Sequence, residues 1–255
     1  MTKTTRARGL AWIATAAALC GDEALASTSF AALMRVRIAP GARREHRLAQ
    51  ANHIAILCAR RGAFADADAH LHEAKSFTRF AVDAATCRAR AEVEFYRGNF
   101  DEATRLIAAS VREDGSGGWR EATVQAECWA LGARTQIARG DLTLARAALD
   151  RAQALVPASA HAVRVELLTI EATLARLGGT ASDALGQAAA LLRDTPLPLH
   201  AARLSAEEAS STTDSTEAVG RAIEALRRVG ELLAAAELER ELGLNIAPAA
   251  SDRPG

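Results

Sequence analysis

A glycine recurs at positions 21, 62, 98, 140 and 179, at intervals of 41, 36, 42 and 39 residues, each between two apolar stretches of helical period. Seven residues before these glycines stand Ala14, Ala55, Ala91, Ala133 and Ala172, and five residues after them Ala26, Ala67, Ala103, Ala145 and Ala184. A sixth unit fits the frame with Thr213 at the glycine position, flanked by Ala206 and Ala218. With 62 alanines in 255 residues, twelve positions would hold about three by chance (62/255 × 12), whereas all twelve are alanine. A period of this length marks stacked helix-turn-helix units. The physical reason for the alanines is close approach: methyl groups on both sides of a helix crossing bring the axes to the short end of the ~8–10 Å packing range. Glycine between the helices supplies the left-handed residue that ends the first one without a Cβ penalty. Composition agrees, because alanine is the best helix former and only 4% of residues are aromatic, which leaves small side chains to build the core.

The frame has further columns. Nine residues after the turn come Phe30, Leu71, Ile107, Leu149, Ala188 and Ala222, apolar groups placed to meet the next hairpin. Asp22, Asn99, Asp141 and Asp214 follow the turn as helix-starting residues, and Pro157 and Pro196 close the second helices. Segments 38–45, 113–119 and 210–216 are rich in turn formers and are expected as loops.

This pattern resembles the tetratricopeptide repeat, a helix-turn-helix unit with small residues at the crossing, a glycine-containing turn and a closing proline. Trp129, eleven residues before Gly140, also falls where that family often has an aromatic. The resemblance implies an all-α, right-handed α-solenoid of about six hairpins within residues 4–243, with a capping helix over Glu231 to Leu242. Residues 244–255 are expected to be a disordered tail. The units depart from the family in being longer than its 34 residues, and Ala17, Cys58, Glu94, Gln136 and Ala175 stand where an aromatic is usual. Lengthened units of this sort are similar to the helical-repeat regions of large bacterial transcription regulators and signalling proteins.

Catalytic signatures are missing from the sequence. Lys3 and Lys75 are the only lysines, so no phosphate-binding P-loop exists, and Asp114–Gly118 reads as a linker because no strand supports a strained nucleophile there. Asp66 with His70 and Asp68 with His72 are spaced like metal-ligand pairs, but the two pairs point roughly 160° apart on a helix. They read as solvated pairs, His46 and His53 as surface or interface residues, and Trp12, Tyr96, Trp119 and Trp129 as core or seam residues. No enzyme activity, cofactor or metal is expected.

Cys20, Cys58, Cys87 and Cys128 form no Cys-x-x-Cys pair and suit free thiols in a cytoplasmic protein. The alternative is export: Lys3, Arg6 and Arg8 precede an apolar stretch, and Ala24-Leu25-Ala26 resembles a cleavage site near Ala26. With 31 basic and 31 acidic side chains the chain has no bulk electrostatic pull toward nucleic acid or membrane. The charge does divide, with ten basic and three acidic residues within positions 1–62.

In stacked hairpins the first helices line a concave groove, reached from positions thirteen, ten, six and three residues before the turn. These offsets select Asn52, Arg88, Glu92, Phe95, Arg134, Ile137, Arg176 and Arg203 as the partner groove. Arg8, Ile56, Glu127, Glu166, His200 and Glu207 fall in the same columns. Five of the 24 positions are arginine, where 29 arginines in 255 residues would give about 2.7 by chance. The expectation is therefore a non-catalytic scaffold for a protein or peptide partner, with acidic segments favoured because arginine grips carboxylates with paired hydrogen bonds. The resemblance supports an alternative: a sensory or regulatory module of a bacterial transcription regulator whose catalytic and DNA-binding parts lie outside this chain.

Overall fold

A computed structural model describes residues 10, 13, 14, 17, 23–36, 40–77, 84–111, 119–195, 197–211 and 216–241. Among them there are twelve helices and no strand. In chain order they are α1 (Glu23–Arg35), α2 (Pro40–Arg60), α3 (Phe64–Phe77), α4 (Ala84–Arg97), α5 (Phe100–Ser110) and α6 (Trp119–Ala138). There follow α7 (Leu142–Leu155), α8 (His161–Leu177), α9 (Ala184–Asp194), α10 (Pro198–Ser211), α11 (Thr216–Arg228) and α12 (Leu232–Glu241).

Helices adjacent in the chain pack together, the tightest being α2 with α3, α4 with α5 and α6 with α7. The turns explain why. Gly62, Gly98, Gly140 and Gly179 have φ of 77°, 84°, 79° and 65°. Each donates its N–H three residues back, as Gly140 does to the Ile137 carbonyl, and the next residue donates five back, as Asp141 does to Gln136. That paired arrangement satisfies the last carbonyls of the first helix and reverses the chain. The same geometry recurs at Gly230 (φ 80°), where it joins α11 to α12.

The alanine columns sit at the crossings. Ala14, Ala55, Ala91, Ala133, Ala67, Ala103 and Ala145 are each 0% exposed, and Ala172 and Ala184 are buried as well. Leu71, Ile107, Leu149, Ala188 and Ala222 of the following column are buried too. The side chains of Ala26 and Phe30 lie outside the described residues. In the sixth unit Ala206 and Ala218 are only half-buried, and Leu199, Ile223 and Leu226 carry that core instead.

Several local expectations change. Segment 38–45 is not a loop from Pro40 onward: α2 starts there, since proline at the first helical position needs no N–H partner and already has a helical φ. Ser210, Ser211, Trp119 and Thr216 are helical, while 112–118 and 212–215 lie outside the described residues. Asp141 caps α7 by accepting from the Leu144 N–H, but Asn99 does not cap α5, because its amide donates to Glu94 across the turn at 2.7 Å. Val156 is extended before Pro157, as proline requires. The last helix covers Leu232–Glu241, and the tail expected at 244–255 lies outside the described residues, as do Asp22, Pro196, Thr213 and Asp214.

Beyond the hairpins, α2 packs on α4, α4 on α6, α6 on α8, and α8 on α10, so the first helices form one continuous row. At its end α12 returns against α2. The approach is close: a Cβ on Gly62 would stand 3.5 Å from the Leu233 side chain, and one on Gly230 3.3 Å from the Arg61 guanidinium.

Candidate functional site

Row helices point one face of charged residues toward one another. Arg60 at the end of α2 lies 3.2 Å from Glu92 of α4 and 3.4 Å from Glu231, the residue before α12. Arg88 lies 3.4 Å from Glu92 and 3.3 Å from Glu127 of α6. Arg134 of α6 and Arg203 of α10 share Glu166 of α8 at 3.5 and 3.6 Å. Arg203 also donates from Nε to Glu231 at 3.1 Å and from Nη2 to the Tyr96 hydroxyl at 2.8 Å, and that hydroxyl faces both Glu231 oxygens at 3.1 Å. Four arginines thus meet four glutamates across five helices and the turn before α12.

Burial sets the electrostatics. Arg60, Glu92, His200 and Glu231 are buried, Glu231 completely. Desolvation alone would raise the Glu92 carboxyl, but Arg88, Arg60, Arg203 and Arg134 outweigh it and hold it at about 2. Burial is likewise outweighed at Glu166, chiefly by Arg203 and Arg134, and at Glu231, chiefly by Arg203 and Arg60, so both carboxyls titrate below their ordinary range. Glu127 goes the other way: burial raises it, and of its neighbours Arg88 opposes while Glu166 and Glu92 repel. His200 is pushed down to about 4 by burial, with Arg203 and Arg60 adding to the effect, and His53 to about 4 by burial with Arg88 and Arg60. Both imidazoles are neutral at pH 7. His53 is half-buried, with its Nδ1 enclosed.

Two cavities flank this network. One of about 30 Å³, roughly the size of a single water, lies among Arg60, Arg88, Glu92, Glu127, Glu166 and His200. The other is an open depression of about 530 Å³, lined from α4, α6, α8, α10, α11 and α12. Phe95, Arg134, Ile137, Arg176 and Arg203, five of the eight residues expected in a groove, line it. Asn52, Arg88 and Glu92 do not. Asn52 is buried and donates to the Thr86 hydroxyl at 3.2 Å, tying α2 to α4. Arg88 and Glu92 are held in the ion-pair network by each other, by Arg60 of α2 and by Glu127 of α6. Within the depression Arg134 sits over the Phe95 ring at 4.6 Å, and Arg176 pairs with Glu207 at 2.7 Å.

Arg60, Tyr96 and Glu231 escaped the groove columns. Arg60 and Tyr96 stand two residues before their glycines, off the four offsets used, and Glu231 follows a glycine outside the repeat. Elsewhere Asp68 pairs with Arg97 of α4 at 2.8 Å and His70 lies 3.7 Å from Glu73. Among the described residues no group of three or more His, Cys, Asp or Glu is arranged to hold a metal ion, and no helix is long and apolar enough to cross a membrane. Trp129 is half-buried with Arg151 over its ring at 4.6 Å, Ala24–Ala26 lie within α1, and Trp12 and the side chains of His46 and Trp119 fall outside the described residues. Comparison with protein-family models, curated proteins and solved structures returns no match.

Proposed function

We propose that this chain is a non-catalytic scaffold, a right-handed α-solenoid of tetratricopeptide-like hairpins whose depression takes a segment of a partner protein. The observation that supports this reading is the depression itself. Four helices of the row, with α11 and the cap α12, contribute to one concavity lined by both apolar and hydrogen-bonding side chains, the usual composition of a site that accepts a peptide or helix. Its three arginines are preorganised by Glu166, Glu207 and Glu231, so a partner meets side chains whose ordering entropy is already spent. The test is site-specific photo-crosslinking in the source organism, with the photoreactive residue at Ile137 or Leu177 in the depression and at Ala69 as an exposed control. The scaffold reading expects proteins captured at the first two positions and not the third; identical capture at all three contradicts it.

The lengthened units, 36 to 42 residues apart, favour a second role for the same scaffold, as the regulatory repeat module of a larger transcription regulator. A catalytic or DNA-binding domain in the same reading frame would support that role.

A further inference from the structure

We infer that the occupant of the depression is a basic, apolar segment rather than an acidic one. The inference rests on the peptide-scaffold reading and adds the partner's chemistry. An acidic peptide needs free guanidinium forks, and the three arginines of the depression are already engaged: Arg134 with Glu166, Arg203 with Glu166 and Glu231, and Arg176 with Glu207. Drawing any of them onto a ligand would take a cationic partner from Glu166, Glu207 or Glu231, and Glu166 and Glu231 sit where a lost partner is expensive.

The surplus charge is negative. Three arginines line the depression against five glutamates, and its histidine, His200, is neutral at pH 7. The two extra carboxylates, Glu237 and Glu241, stand one helical turn apart on α12 and are exposed at the wall. Neither forms a hydrogen bond or ion pair among the described residues, although the charge of Glu241 is felt at Arg176. The apolar contribution comes from Phe95, Ile137, Ile170 and Leu177, the last 46% exposed although it lines a concavity. A segment with two apolar anchors against these side chains and lysine or arginine toward α12 satisfies both features, with charge-assisted hydrogen bonds to carboxylates that have no partner among the described residues.

The test pans the full chain against a phage-displayed library of random twelve-residue peptides and measures recovered peptides by fluorescence anisotropy. The inference expects enriched sequences of net positive charge with apolar residues. Their affinity should fall with added salt and be about tenfold weaker for the double variant Glu237→Lys/Glu241→Lys. Both positions are exposed, and an unchanged circular dichroism spectrum and melting curve confirm that the variant folds. Enrichment of net acidic peptides, or equal affinity for the variant, overturns the charge inference and leaves the scaffold standing. Enrichment no greater than on an unrelated control protein overturns the scaffold reading itself.

Discussion

Glu231 is where the ends of the row meet, and replacing it with glutamine perturbs the fold in a way that can be worked through. The carboxylate faces Arg60 of α2, Arg203 of α10 and the hydroxyl of Tyr96, and is fully buried. Glutamine keeps the volume and one accepting oxygen but leaves four arginines against three glutamates in a space with little water. Removing one partner of a buried ion pair costs about 3–5 kcal/mol because the remaining charge is stranded. The Gln variant belongs near the lower figure and Glu231→Ala, which also empties space beside Tyr96, near the upper. Urea unfolding followed by far-ultraviolet circular dichroism measures both. Glu224→Gln is the control, since Glu224 pairs with Arg228 with both side chains more than 70% exposed, and such surface pairs contribute about 0–1 kcal/mol. If Glu231→Gln unfolds within about 1 kcal/mol of the parent chain, or no earlier than the control, α12 is not held to the row by this carboxylate.

Tyr96→Phe removes a hydroxyl that lies within hydrogen-bonding distance of Glu231 and accepts from Arg203, and should cost about 1–3 kcal/mol in the same unfolding assay. Acidification should destabilise the chain in two stages. His200 titrates near 4 in the folded protein and near 6.5 once unfolded, so the unfolded state takes the proton first and stability falls from pH 6.5 toward 4. Glu92, held at about 2 against an ordinary 4.5, extends the loss from pH 4.5 toward 2. Melting temperatures between pH 7 and 4 check the first stage; His53, also held near 4, contributes over the same range, so His200→Gln should roughly halve it and the double variant His53→Gln/His200→Gln flatten it.

What the sequence made legible was what local chemistry dictates. Positive φ is nearly a glycine monopoly, so Gly62, Gly98, Gly140 and Gly179 could be read directly as turns, and a helix crossing that tolerates only a methyl could be read from alanine. Helical period alone decides which face of α6 Arg134 and Ile137 share, and both line the depression. What escaped depends on distance in the chain. Tyr96 and Glu231 are 135 residues apart, and nothing in either neighbourhood announces that α12 folds back to α2. That return adds Glu231 to Arg60 and Arg203, while pairs between neighbouring row helices engage Arg88, Arg134 and Arg176, so the arginines expected to be free for an acidic partner are already neutralised. Pro40 misled in a smaller way, because proline inside a glycine-containing stretch signals a loop as readily as a helix start.

The claim on which the rest stands is that methyl-sized side chains at the hairpin crossings let the paired helices pack. Urea unfolding of Ala67→Leu, Ala103→Leu and Ala145→Leu tests it most directly, beside Ala69→Leu, Ala109→Leu and Ala147→Leu, exposed alanines on the same helices α3, α5 and α7. Overpacking should cost about 1–3 kcal/mol at each crossing position and leave the exposed set within about 0.5 kcal/mol of the parent. Equal unfolding free energies for the two sets would contradict the account.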